Sequence, residues 1–237
     1  MVDKVLDIFQ KNYAPDLIDC IWGHDAQLYA EDFFVTDRMY NKYNNHILKN
    51  LQHIQGKNIV SIGSHTGWLE VLALLSGANS VVCIEPRKKF TDGIQKFAKN
   101  NSLSISAICN FHNHLFDIGK KFDTVFAFNS IGHSLDWMTY VGKLHTVAKH
   151  LVFVKGVWKD LPNNSIRLEQ HNDSNIWGGL RTQQATALNF HLGQGFFEIL
   201  CKCFGYKIVQ HWEDVAKQPN QYYVVDLQAD LNKTTHA

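Results

Sequence analysis

Apolar residues recur at two different periods along this chain. Over residues 1–50 the period is helical. In "TDRMYNKYNNHILKNLQHI", Met39, Tyr43, Ile47, Leu48, Leu51 and Ile54 share one helix face, and Gly56 stops the helix. From Asn58 onward short apolar runs alternate with helical stretches. "NIVSIG", "SVVCIE", "SISAIC", "FDTVFAF" and "HLVFVKGVW" read as five strands. Residues 66–76, 87–100 and 136–148 read as the helices between them. Several of these strands are continuous apolar runs, which suits strands buried on both faces of a parallel sheet. Strand–helix alternation then predicts an α/β fold with right-handed crossovers. After Trp158 the rhythm changes. Residues 159–184 are polar and turn-rich, and residues 185–204 read as a helix closed by Gly205. "YKIVQHWED" and "NQYYVVDLQ" then read as an antiparallel pair closing the sheet.

Composition narrows the function classes. Hydrophobic residues make up 45% of the 237, enough for a sizeable core. With 23 basic and 22 acidic residues the net charge is +1, so nothing draws the chain as a whole to nucleic acid or to a membrane surface. No apolar run approaches the roughly 20 residues of a membrane span, and the N-terminus has no signal-peptide core. A soluble, cytoplasmic protein is expected. The five cysteines form no disulfide framework. Cys83 and Cys109 lie in strand-like runs and are expected to be buried thiols. Cys201 and Cys203 lack a second pair for zinc. The alternating His112 and His114 have only Asp117 nearby, and no metal site is expected.

The chemistry concentrates in "VSIGSHTGWLEVLALLSGANSVVCIEP". A dinucleotide fingerprint needs glycine at Gly63 and again two and five residues later. Those places hold His65 and Trp68, whose side chains obstruct a pyrophosphate and close helix–strand packing. No phosphate-binding lysine motif follows either. What remains is Gly63 and Gly67 at a strand-to-helix turn, with Glu85 at the tip of the second strand. A carboxylate there can accept hydrogen bonds from both ribose hydroxyls, and a helix N-terminus suits a small carboxylate. A nucleoside bearing an amino acid, such as S-adenosylmethionine, matches both features.

This stretch resembles the first two motifs of class I S-adenosylmethionine-dependent methyltransferases. "KFDTVFAFNSIGHSLD" resembles their fourth-strand motif, and the closing strand pair resembles theirs. The resemblance implies a doubly wound, seven-stranded, mostly parallel Rossmann-like sheet with an antiparallel final strand. An N-terminal helical cap (1–55) would precede the cofactor domain (56–237), with 159–190 as a substrate-side insertion. The family commonly carries an acid two residues before the first glycine, organising the turn and the cofactor's ammonium end; here that place is Ser61. The middle glycine is His65.

The resemblance also implies site residues. Gly63, Ser64, His65, Gly67 and Glu85 would hold the cofactor, Asn110 and Phe111 its adenine, and Asn129 its methionine portion. His133 is the candidate general base, since its ordinary pKa suits proton removal near neutrality. Tyr40 and Tyr43, with Trp177, Arg181 and His191, would form a substrate wall, where an arginine suits an anionic acceptor. A small-molecule acceptor is expected from the near-neutral charge. Two alternatives stay open: an RNA-modifying transferase, because the lead-in "RMYNKYNNHILKNLQHIQGKNIVSIG" and "NIWGGLRTQQATALNF" distantly resemble tRNA wobble-uridine carboxymethyltransferases, and a non-catalytic protein that binds S-adenosylmethionine.

Overall fold

The computed structural model describes residues 2–22, 36–127, 137–154, 157–158, 162, 164–171, 187–213 and 220–228. They fall into two compact units, residues 1–111 and 112–237.

In the first unit the N-terminal helical period becomes α1 (Val2–Ile8), a π-helical turn (Phe9–Tyr13), α2 (Ala14–Trp22) and α3 (Thr36–His46). The single helix expected over 39–54 is broken. α3 ends at His46 and a 3-10 helix (Leu48–His53) follows, with Asn50 at φ −122°, ψ 18°. The buried Asn50 amide explains the break. It donates to the Asn45 and His46 carbonyls at 3.3 and 3.1 Å, in place of the backbone donors of a continuing helix. Tyr43 is buried and its hydroxyl meets Ser76 Oγ at 3.1 Å, so Tyr43 belongs to the core and not to a substrate wall.

The apolar runs beyond it form three parallel strands, β1 (Asn58–Ile62), β2 (Ser80–Ile84) and β3 (Ile105–Ile108). Every residue of β1 after Asn58 is buried, the polar Ser61 included. β3 pairs with β2 alone among the described strands, and its burial alternates at Ile105, Ser106 and Ala107. Cys109 lies just past its end and is exposed, contrary to the buried thiol expected; Cys83, inside β2, is buried. Helices α4 (Trp68–Leu75) and α5 (Lys88–Asn100) connect the strands. α5 carries Ile94, Phe97 and Ala98 on its buried face. Its other neighbour is α2, which approaches so closely at Gly93 that a Cβ there would lie 2.6 Å from Ile21 Cγ1.

In the second unit His112 and His114 sit in a 3-10 helix (His112–Asp117). β4 (Phe122–Ala127) pairs in parallel with β5 (Ala148–Val154), with α6 (Trp137–Lys143) between them in sequence. The run expected as one strand through Trp158 is divided into β5 and β6 (Val157–Trp158). β7 (Ile166–His171) and β8 (Ala187–Gly193) form an antiparallel pair, and β8 joins β6. Two expectations are thereby corrected. The polar stretch 159–184 contains a strand, and the helix expected over 185–204 begins only at Gln194, as α7 (Gln194–Cys203). The reason is visible in "ALNFHLG": Leu188, Phe190 and Leu192 recur at period two, and Gly193 is still extended at φ −67°, ψ 151°. β9 (Lys207–Glu213) and β10 (Asn220–Asp226) form the expected antiparallel pair, and β10 is also antiparallel to β5. β1–β5, β9 and β10 thus supply the seven strands expected of a doubly wound, mostly parallel α/β fold; β6, β7 and β8 are additional.

Candidate cofactor site

The site grows from the carboxyl end of β1. After Ile62 the chain turns through Gly63, His65 and Gly67, which all have positive φ, at 68°, 54° and 76°. Alternate left-handed residues fold the chain into a tight loop before α4. The Gly63 amide donates to Ile84 O at 2.8 Å and the Gly67 amide to Ser64 O at 2.9 Å. Gly67 is the N-cap of α4, and a Cβ on it would press Ile94 Cγ1 at 3.0 Å. His65 therefore keeps the backbone of the glycine it replaces. That conformation costs an L-residue about 1–2 kcal/mol. Two contacts offset it: the His65 amide donates to Glu85 Oε2 at 2.9 Å, and its ring lies against Phe90 with centroids 4.4 Å apart.

Glu85 follows β2 immediately and is 1% exposed. A buried carboxylate needs donors, and three reach it. The His65 amide serves Oε2, while the Arg87 amide (3.2 Å) and Arg87 Nε (2.5 Å) serve Oε1. The Arg87 guanidinium also lies 4.3 Å from the Phe90 ring centre, so His65, Phe90 and Arg87 form one packed wall beside the carboxylate.

Behind the turn stands a residue that the sequence reading passed over. Ser61, fully buried on β1, donates to Glu70 Oε1 at 2.5 Å. Glu70 is 1% exposed in the first turn of α4, and its Oε2 has no hydrogen-bond partner. Thr66 Oγ1, in the turn itself, is likewise buried without a partner. The signal was available: Glu70 is the single charge in "WLEVLALL", where every residue from Trp68 to Ala73 is buried.

Burial pushes Glu70 up to about 7, the Glu85 carboxylate adding to the effect, while the Ser61 hydroxyl and the residue's own amide oppose it. His65 moves the other way, to about 3, through burial and then the positive charges of Arg87 and Lys42. The two act oppositely on stability. An unfolded His65 takes up its proton below 6.5 and the folded one only near 3, so its contribution is lost as pH falls through that window. A folded Glu70 keeps its proton up to about 7 and the unfolded one releases it near 4.5, so its contribution is lost as pH rises. Between pH 4.5 and 6.5 the slopes cancel. Chemical denaturation across that range is expected to find Glu70→Gln gaining stability with pH, by at most roughly 1.4 kcal/mol per pH unit relative to wild type. Parallel curves for the two proteins would contradict this.

The remaining expected site residues divide into three groups. Asn110 and Phe111 follow β3 at the same carboxyl edge as Gly63 and Glu85; both are exposed, and Asn110 Oδ1 accepts the Phe111 amide at 2.8 Å. Tyr40 is 41% exposed on α3. His191 lies in β8 opposite Arg167. Asn129, His133, Trp177 and Arg181 fall outside the described residues. Among the described residues no group of three metal-ligating side chains gathers, and no helix is long and apolar enough to cross a membrane.

No family model matches the chain, and no curated protein does. Solved structures do match. A S-adenosylmethionine-dependent methyltransferase from Clostridium acetobutylicum aligns with TM-score 0.59 and 11% identity, over 85% of this chain and 98% of that one. Magnesium protoporphyrin IX methyltransferase from Synechocystis, with S-adenosylmethionine bound, aligns with TM-score 0.58 and 12% identity, over 95% and 97%. The N-terminal domain of EvdMO1, solved in the presence of S-adenosylhomocysteine and D-fucose, aligns with TM-score 0.56 and 13% identity, over 80% and 81%. The fold is the Rossmann-like fold of S-adenosylmethionine-dependent methyltransferases. At these identities the likeness is one of fold, and the turn, Glu85 and Glu70 carry any argument about chemistry.

Proposed function

We propose that this chain is an S-adenosylmethionine-dependent methyltransferase acting on a small-molecule acceptor in the cytoplasm. The observation that carries the reading is the loop of three left-handed residues, Gly63, His65 and Gly67, leading into α4 beside the buried Glu85 carboxylate. The residues suit the cofactor. Glu85 suits a ribose diol, the N-terminal end of α4 a carboxylate, and Thr66 Oγ1 and Glu70 Oε2 are buried polar atoms still lacking partners. Asn110 and Phe111 would flank the adenine and Asn129 would support the methionine portion. Tyr40 and His191, with Trp177 and Arg181 of the segment 159–190, would line the acceptor side.

When bound, the cofactor would supply an electrophilic sulfonium methyl group to an acceptor's lone pair, its sulfur keeping the electron pair of the broken carbon–sulfur bond. The protein's contribution is alignment of the two partners and exclusion of water. His133 would take the proton from an oxygen or nitrogen nucleophile. The acceptor class is supported by the near-neutral charge and by structures of the same fold that include a magnesium protoporphyrin IX methyltransferase and a domain solved in the presence of D-fucose.

Titration calorimetry with S-adenosylmethionine and S-adenosylhomocysteine tests the shared premise. Saturable one-to-one binding of both is expected, and no heat at millimolar ligand would overturn the reading.

A further inference from the structure

We infer that Glu70, from the first turn of α4, supplies the carboxylate that position 61 lacks and receives the ammonium group of the ligand's amino-acid portion. The inference rests on the cofactor reading above and names a residue for it. Three observations converge. First, Ser61 stands two residues before Gly63, where the resembled family carries an acid, and its hydroxyl donates to Glu70 Oε1 at 2.5 Å. The helix carboxylate therefore sits where an acid on residue 61 would reach. Second, Oε2 is buried with no partner, beside a turn whose Thr66 hydroxyl is also without one. Third, among the described residues no positive charge answers Glu70; the charged group acting on it is Glu85, which is also an acid. Arg87 is engaged by Glu85, and Lys42 of α3 lies over the neighbouring Trp68 ring. A buried carboxylate is retained at a cost unless a cation completes it.

A plain capping role accounts for less. An acid at the third helical position caps by accepting the N-cap amide, but the Gly67 amide already donates to Ser64 O. Oε2 is thus left for a ligand that brings three N–H donors.

The test compares two ligands that share the nucleoside half. S-adenosylhomocysteine has the amino-acid arm and 5′-methylthioadenosine does not. Glu70→Gln is expected to weaken S-adenosylhomocysteine about ten- to hundredfold, the value of a charge-assisted bond to a buried group, and to leave 5′-methylthioadenosine unchanged. Returning the acid to the strand in the double variant Ser61→Asp/Glu70→Ser is expected to restore most of the loss. The wild type gives an independent reading that needs no variant to fold. Because an ammonium favours the ionised carboxylate, and Glu70 without ligand titrates near 7, S-adenosylhomocysteine should bind about tenfold more tightly at pH 8 than at pH 6. 5′-Methylthioadenosine should bind equally at both. Equal loss of the two ligands in Glu70→Gln, or equal pH dependence of the two in wild type, overturns the assignment while leaving the cofactor reading intact. Wild type that binds neither nucleoside overturns both.

Discussion

Glu85→Ala is expected to weaken S-adenosylhomocysteine binding by about a hundredfold or more. The two ribose hydroxyls would each donate to one buried carboxylate, and such bonds are worth roughly 1.5–3 kcal/mol apiece. The carboxylate is preorganised for them, since the His65 and Arg87 amides hold it in place before any ligand arrives. The same contacts mean that the variant also loses stability. Arg87 is 17% exposed at its side chain and can turn toward water, whereas the His65 amide is left without its acceptor, which costs about 1–3 kcal/mol. The two effects are separable. Affinity is measured by calorimetry well below the melting temperature of the variant, and stability by the melt itself. Glu85→Gln, which keeps an acceptor for the His65 amide, should recover stability more than affinity. A Glu85→Ala protein that folds and binds with wild-type affinity would remove the ribose role.

Gly93→Val should be the most damaging single change outside the site. The added Cβ would lie 2.6 Å from Ile21 Cγ1 and 3.0 Å from the Cys20 carbonyl, and the second of these is backbone. A flexible side chain could yield; here α2 itself must move. The displacement would also disturb Asn101 Nδ2, which donates to Asp16 Oδ2 at 2.5 Å across the same helix pair. Overpacking of this kind costs about 3 kcal/mol, or roughly 6–12 °C of melting temperature in a chain of this size. Replacing glycine inside a helix returns up to about 1 kcal/mol of propensity, which is too little to compensate. A melt within a degree or two of wild type would show that α2 can withdraw from α5 freely.

How much of this was legible in the chain depends on the range of the interaction concerned. β1, β2, β4 and β10 were readable because each is a local, mostly apolar run of the right length. Gly63, Gly67 and Glu85 were readable because spacing along a strand–turn–helix is itself local. The division of the 39–54 helix was not, because it depends on the Asn50 side chain turning back to two carbonyls. β8 was misread because "ALNFHLG" precedes a true helix, and its alternation is brief enough to be absorbed into that helix. Glu70 was missed for a different reason. Position 61 was judged by what it lacks, while the acid lay nine residues later in sequence and one hydrogen bond away in space.

β10 has a bearing on how the second unit is made. It joins β5 through Val225 and Asp226, β6 through Asn220 and Gln221, and β9 along its length. Each of those partners leaves the ribosome earlier. Until β10 arrives, β5 and β9 each present an unsatisfied edge, and β6, β7 and β8 lack the strand that links them to β5. The β1–β2 and β2–β3 pairings need no such wait, since both form within the first 111 residues. Assembly of the chain is therefore expected to run from the cofactor turn outward. The second unit spends synthesis as the vulnerable half, with open strand edges of the kind that chaperones shield.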